Sequence, residues 1–121
     1  MNKEPKVRSV GKVLTANTAN TLYTCPDNFV AKVILLIVSN QTASNKNVSI
    51  EWRDDSAAAQ YHIVNSYVIT SKTFLQIDGG YIVFNPGDTL ILTPESGSTM
   101  DAIVTVEEHY EQGLLYISIW Q

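Results

Sequence analysis

The chain has 121 residues and a mass of 13.4 kDa, with 45% apolar side chains, 17% charged side chains and a formal net charge of -4. This length fits one compact domain with a single core, and the one cysteine, Cys25, excludes an intrachain disulfide and a cysteine-only metal site. Basic and aromatic residues do not interleave in this net-negative chain, so we expect no nucleic acid as a ligand.

Positive charge is concentrated at the start of the chain. Four of the eight basic residues are Lys3, Lys6, Arg8 and Lys12. All eight lie within the first 72 residues, whereas seven of the twelve acidic residues follow them. We predict a basic N-terminal arm over residues 1–12, which either supplies ordinary solubilising charge or lies across the acidic half of its own or a neighbouring subunit. No apolar stretch follows this arm, so we expect neither a secretory signal nor a transmembrane span.

Period-two alternation and β-branched residues recur along the chain, interrupted at short intervals by Gly, Pro, Asn and Asp. This pattern is typical of an all-β sandwich or barrel. The candidate strands, in chain order, are 7–15, 21–25, 29–39, 47–53, 61–70, 73–77, 81–84, 89–93, 102–108 and 114–120. We therefore predict an all-β, antiparallel, jelly-roll-like sandwich of eight to ten short strands, in one domain that spans residues 1–121.

Alternation also predicts which face of a strand is buried. Val48, Ile50 and Trp52 fall on one face of their strand, and Val104 and Val106 fall on one face of theirs, with polar residues between them. The stretch 33–38 (Val-Ile-Leu-Leu-Ile-Val) is instead apolar on both faces. It predicts a central strand whose outer side is covered by another strand, a loop or another subunit.

The residues that carry chemistry form no recognisable catalytic or metal motif. His62 and His109 lie inside predicted strands without a nucleophile or metal-ligand partner nearby in sequence, so we expect both to be structural or exposed. We predict no enzyme activity and no cofactor. Calcium stays an alternative, because the acidic turn residues Asp54 and Asp55 and others, such as Asp88, could converge at one end of a sandwich.

Residues 113–121 stand out because they are uncharged and mostly large and apolar. Such a segment needs a partner, so we predict a hydrophobic C-terminal strand that pairs either within its own sheet or with another subunit. Together with the basic arm it gives the predicted subunit interface, made of Lys3, Lys6, Arg8, Leu114, Leu115, Tyr116, Ile117, Ile119 and Trp120.

Two segments carry a resemblance to a known group of proteins. Residues 20–26 (Asn-Thr-Leu-Tyr-Thr-Cys-Pro) run into the apolar strand, and residues 80–90 contain Asn-Pro-Gly-Asp between two apolar stretches. Both look like small β-sandwich virion proteins of tailed bacteriophages, over roughly residues 10–108. The resemblance implies a non-enzymatic structural part of a phage particle that is present in many copies.

From the residues and the resemblance together we expect a virion structural protein, associated with the tail, that assembles through its terminal segments into a homo-oligomer. The expected partners are copies of itself and neighbouring virion proteins, with no membrane, and the expected location is the virion after synthesis in the host bacterial cytoplasm. Capsid decoration is an alternative role. A carbohydrate- or receptor-binding module is an alternative from another class.

Overall fold

The computed structural model describes residues 4–78 and 82–111, and these residues form strands and loops but no helix. The strands are β1 (Lys6–Leu14), β2 (Asn20–Thr24), β3 (Phe29–Asn40), β4 (Lys46–Asp54), β5 (Ala59–Ile69), β6 (Phe74–Asp78), β7 (Val83–Phe84), β8 (Thr89–Pro94) and β9 (Met100–Tyr110). The predicted strands therefore occur with ends within two residues of the prediction wherever the structure describes them. The predicted strand 114–120 lies outside the described residues.

The strands form two antiparallel sheets. Sheet A has the order β1-β9-β3-β6, with the short β7 also paired to β3, and sheet B has the order β2-β8-β4-β5. Strands from the two ends of the chain are neighbours in both sheets, and the chain crosses repeatedly between them. This is the strand order of a jelly roll, so the prediction of a jelly-roll-like sandwich is confirmed.

The core lies between the two sheets and contains the residues that alternation predicted to face inward. Val48, Ile50, Val104 and Val106 are fully buried, and Trp52 is half-buried against the same cluster. Antiparallel sheets that pack face to face remove one side of every strand from water. The period-two pattern therefore comes from burial of a single face, as expected for a sandwich.

The basic residues near the start of the chain do not form a free arm. Lys6, Arg8 and Lys12 lie in β1, which pairs with β9 from Lys6 opposite Glu108 to Leu14 opposite Met100. Most of the predicted arm therefore lies in an edge strand, whose pairing with β9 satisfies the backbone N–H and C=O groups that face β9. Its position agrees with the alternative in which the basic segment lies across the acidic half of its own chain.

Asp88 fastens the loops at one end of the sandwich. Its side chain is 1% exposed, and its two carboxylate oxygens accept hydrogen bonds of 2.9 Å from the backbone N–H groups of Asp55 and Asn85. Next to it, Gly87 has a φ of 89°, and a Cβ there would lie 2.7 Å from Oδ2 of Asp55. The β7–β8 turn can therefore approach the β4–β5 turn only with glycine at this position.

We expect Asp88→Ala to lower the free energy of unfolding by about 2–4 kcal/mol, because two backbone N–H groups lose their acceptor in a buried site. Urea denaturation followed by tryptophan fluorescence measures this change. Asp101→Ala is the matched control, since Asp101 is an exposed carboxylate in β9, and a change within about 0.5 kcal/mol is expected there. Equal effects of the two substitutions would contradict the role of Asp88.

Candidate assembly surface

The outer face of sheet A, which points away from sheet B, carries a cluster of apolar side chains. Ile103 of β9 lies opposite Ile37 of β3, and Leu35 of β3 follows on the same face, opposite Thr105. We call Leu35, Ile37 and Ile103 the Ile103 patch. Ile103 is 48% exposed, and the other two are half-buried. Nearby on the same face, Phe74 is also exposed.

The sequence predicts that the outer side of β3 is covered by a strand, a loop or another subunit, and no strand of the described residues covers it. All nine strands belong to the two sheets, so no described strand forms a third layer over the Ile103 patch. Ile34, at the β-bulge next to the patch, is 37% exposed. Exposed apolar side chains that cluster on one face mark surfaces for interaction.

Charged side chains lie in the rows on either side of the centre of the Ile103 patch, with Asp78 opposite Leu35 and Asp101 opposite Ser39. The row of residues through its centre, Gly11, Ile103, Ile37 and Gln76, contains no charged side chain. In the next row, the hydroxyls of Ser9 and Thr105 lie 2.8 Å apart and bond to each other. The centre of the face therefore has low polarity and its nearest hydroxyls are paired, which suits an apolar partner.

The free edges of the sheets differ in how they resist strand addition. At the edge of sheet A, β1 contains Lys6, Arg8 and Lys12. At the edge of sheet B, β5 contains no Asp, Glu, Lys, Arg or Pro, but its pairing with β4 shifts register twice and Ser66 has a φ of 52°. Charges and bulges are both devices that disfavour edge-to-edge pairing.

Arg8, a predicted interface residue, makes its main contacts within the chain. Its Nε and Nη2 donate to the two carboxylate oxygens of Glu108 at 3.1 Å, and the hydroxyl of Tyr23 donates to Oε2 of the same carboxylate at 2.5 Å. Glu108 is 2% exposed. The three side chains join β1, β9 and β2, and we call them the Glu108 cluster.

The contacts of the Glu108 cluster shift the pKa values of its members. Burial alone would raise the pKa of Glu108, but the hydrogen bonds from Arg8 and Tyr23 and the positive charge of Arg8 outweigh burial and lower it. Burial and the hydrogen bond to Glu108 raise the pKa of Tyr23, and the hydrogen bond to Glu108 raises the pKa of Arg8. At neutral pH the cluster is a carboxylate, a guanidinium and a neutral phenol.

The lowered pKa of Glu108 predicts a loss of stability in acid. A carboxylate whose pKa is lower in the folded state stabilises the fold above its unfolded pKa, and this contribution disappears as the pH falls through the folded value. For Glu108 the loss therefore develops below its ordinary value of 4.5. Glu108→Gln should destabilise the protein by about 2 kcal/mol at neutral pH and flatten the acid limb of stability against pH.

Urea titrations from pH 7 to pH 3 measure this effect, with Asp101→Asn as the exposed control. If the two variants show acid limbs of the same steepness, the Glu108 cluster does not hold the fold in the way described.

The other predicted interface residues divide between described and undescribed parts of the chain. Lys6 lies in β1 with its Nζ 5.3 Å from the centre of the Phe29 ring, a cation–π contact. Lys3, Leu114, Leu115, Tyr116, Ile117, Ile119 and Trp120 lie outside the described residues. The contribution of both sets to a subunit interface stays a prediction.

Cys25 is a buried thiol. It is 1% exposed, and its Sγ lies 3.3 Å from the backbone oxygen of Phe29 and 3.4 Å from that of Phe84. Burial raises its pKa to about 11, so the thiolate is scarce at neutral pH. The residue packs as a small apolar side chain.

We therefore expect Cys25 to resist alkylation by iodoacetamide in the native protein and to react fully in denaturant, as measured by mass spectrometry. A cysteine introduced at the exposed position of Val68, by Val68→Cys, is the matched control and should react in the native state. Rapid native modification of Cys25 itself would show that its site opens readily.

Neither histidine of the described residues lies in a cluster of possible metal ligands. His62 lies 3.8 Å from Glu51, His109 lies 3.6 Å from Glu107, and both imidazoles are half exposed. Within the described ranges no three His, Cys, Asp or Glu side chains are placed to hold a metal ion. For calcium, both oxygens of Asp88 are already bonded to backbone N–H groups.

A cavity of about 250 Å³ lies between the sheets on the side of β5 and β6. Its lining is almost entirely apolar and consists of Val33, Leu36, Ile63, Ile77, Asp78, Ile82 and Leu90. Asp78 is an exposed residue that lies opposite Leu35 of the outer face. The described lining contains no nucleophile beside a base, so it provides no pair for covalent catalysis. Nearby, Trp52 stacks on Tyr61 with ring centres 5.6 Å apart, which covers one face of the indole ring.

Comparison with known proteins supports the fold. No family model matches the chain, and no curated protein matches its sequence. A solved structure from Bacillus endospore appendages, described as a novel family of disulfide-linked pili, is 10% identical with a TM-score of 0.55, and the match covers 88% of this chain and 87% of that one. At this identity the similarity shows a shared fold.

Two further solved structures are more distant. PirA is 13% identical with a TM-score of 0.47, and the match covers 91% of this chain and 94% of that one. A chain of infectious bursal disease virus, Gx strain, is 10% identical with a TM-score of 0.47, and the match covers 91% of this chain but 33% of the viral one.

Proposed function

We propose that this chain is a non-enzymatic structural protein that assembles with copies of itself into a larger particle. The observation that carries the proposal is the Ile103 patch, a group of apolar side chains in the middle of a sheet that no described strand covers. Burial of such a patch against another copy removes apolar surface from water and favours association.

The buried polar groups support a structural role. Among the described residues, the buried polar or charged residues are Asn20, Asn40, Asp88 and Glu108. Each bonds to groups of its own chain: Asn40, for example, donates from Nδ2 to the backbone oxygens of Ser44 and Ile69. These side chains are used to fasten loops and strands, as expected for a rigid building block.

We further propose that the particle is the virion of a tailed bacteriophage, with the tail as the first location and capsid decoration as the alternative. This finer proposal is supported by the resemblance of residues 20–26 and 80–90 to small virion proteins. A similar fold also occurs in a protein of endospore pili, and a pilus is an assembly of many subunits. The disulfide linkage named for those pili is not carried over, because the one cysteine of this chain is buried.

We expect the full chain to form an oligomer of defined mass, as measured by size-exclusion chromatography with light scattering. Deletion of residues 113–121 should reduce the mass towards that of a monomer, because the deletion removes the apolar segment predicted to join subunits. Circular dichroism and urea denaturation of the shortened chain should show a folded β-protein, which is the control for a general loss of structure.

A full chain that is monomeric at micromolar concentrations would contradict the proposal, and glycan binding by that monomer through Tyr61 would favour the carbohydrate-binding alternative.

The kind of particle is tested separately by the genes beside this one. Portal, tail or capsid genes would support the virion, and a transporter operon would contradict it.

A further inference from the structure

Gly11 is a glycine that the fold of one copy does not require. It lies in the middle of β1, opposite Ile103, and the glycines with positive φ among the described residues are Gly87 and Gly97. A Cβ on Gly11 would meet the backbone oxygen of Ala102 at 3.8 Å and Cγ1 of Ile103 at 3.9 Å, which are ordinary contacts. Glycine inside a strand costs about 0.5–1 kcal/mol relative to alanine, and it often marks the close approach of another backbone.

The missing side chain at Gly11 opens one flank of the Ile103 patch. Gly11, Ile103 and Ile37 occupy neighbouring strands in one row, about 4.8 Å apart from strand to strand. On the β1 side of Ile103 there is therefore only backbone, so an extended chain can lie close to the sheet there. The space left by the missing side chain of Gly11 is called the notch. Together with the exposed side chain of Ile103 it forms a surface on which an apolar strand can lie.

The apolar segment 113–121 has the composition of such a partner. It contains no charged side chain, and in an extended chain alternation would place Leu115, Ile117 and Ile119 on the same side. These positions would repeat about every 6.7 Å. Residues Leu35 and Ile37 of the patch repeat with the same spacing along β3, so the two apolar rows match in period.

Distance along the chain limits which residues of the segment can reach the Ile103 patch of their own copy. The N–H of Glu111 donates to the backbone oxygen of Asn28 at 2.7 Å, which places Glu111 at the end of β9, eight residues or about 27 Å from Ile103. Leu115 follows four residues later and can lie at most about 14 Å from Glu111, and Ile117 at most about 21 Å. Both fall short of Ile103 of the same copy, whereas Ile119, at most about 28 Å from Glu111, can reach it. A contact between Ile117 and Ile103 therefore has to be made between copies.

We propose that the Ile103 patch of one copy binds segment 113–121 of a neighbouring copy, with Leu115, Ile117 and Ile119 facing Ile103 and Ile37. This inference rests on the proposed self-assembly and names the two surfaces that meet. The contact joins different surfaces of the two copies. It therefore gives a closed ring where the rotation between copies closes, an open helical filament where it does not, or an exchange of segments between two copies.

Cysteine crosslinking between full-length copies tests the contact. One copy carries Ile103→Cys and the other Ile117→Cys, with different affinity tags, and the two are co-expressed and oxidised. We expect a disulfide-linked dimer that contains both tags. The matched control replaces Ile103→Cys by Val68→Cys, which is 58% exposed but lies on sheet B, and should give little crosslink. Buried Cys25 does not compete.

Gly11 provides an independent measurement. Gly11→Val fills the notch and should raise the monomer concentration at equilibrium by tenfold or more, without lowering the urea midpoint of the monomer. Thr21→Val, at an exposed position of β2 in sheet B, also adds a valine but lies away from the Ile103 patch and is the matched control. Dissociation by both variants equally, or by neither, would overturn the role assigned to Gly11.

The results separate this inference from the proposed function. An oligomer that forms without the 103–117 crosslink, or a crosslink that forms equally at position 68, overturns the inference while self-assembly stands. A double variant whose disulfide is found within one chain overturns binding between copies. A chain that forms no oligomer overturns the proposed function as well.

Discussion

Glu108 is a carboxylate on the inner side of sheet A, and the pairing of the first and last described strands depends on how its charge is compensated. A buried carboxylate without partners would cost several kcal/mol, so β9 can hold this position only with donors nearby. Arg8 supplies two of them from β1, and Tyr23 supplies a third from β2. The interaction therefore joins three strands, and two of them lie within the first 24 residues of the chain.

This pairing also creates the outer face of sheet A. With β1 fastened on one side and β3 on the other, β9 becomes an interior strand of the sheet, and its residues alternate between the core and the outer face. Val104 and Val106 enter the core, whereas Ile103 is directed outward beside Ile37. The Ile103 patch thus follows from the same arrangement that buries Glu108.

The strands and their buried faces were predictable because they depend on local periodicity, which the sequence shows directly. The same periodicity contains a signal for Glu108, which is in phase with Val104 and Val106, but its partner Arg8 lies 100 residues away and no local pattern pairs them. For this reason the sequence alone predicts a basic arm where the structure has β1. The sequence alone also allows Asp88 as a calcium ligand, since its bonds to backbone N–H groups depend on two turns meeting in space.

The edges and the outer face of the sandwich differ in how they would receive another copy of the chain. Strand addition to an edge requires an unpaired, regular and uncharged strand, and neither long edge strand meets all three conditions: β1 carries three basic residues, and β5 carries two register shifts. The outer face of sheet A has the opposite properties, since its central row is uncharged and its strands are paired on both sides from β9 to β3. Pairing at the edges would give open-ended aggregates of variable register, whereas a contact through one face and one segment limits each copy to at most two neighbours, in a ring where the rotation closes and in a filament where it does not. The placement of charge and bulges at the edges, with apolar residues on the face, is therefore the arrangement expected of a subunit that assembles in a controlled way.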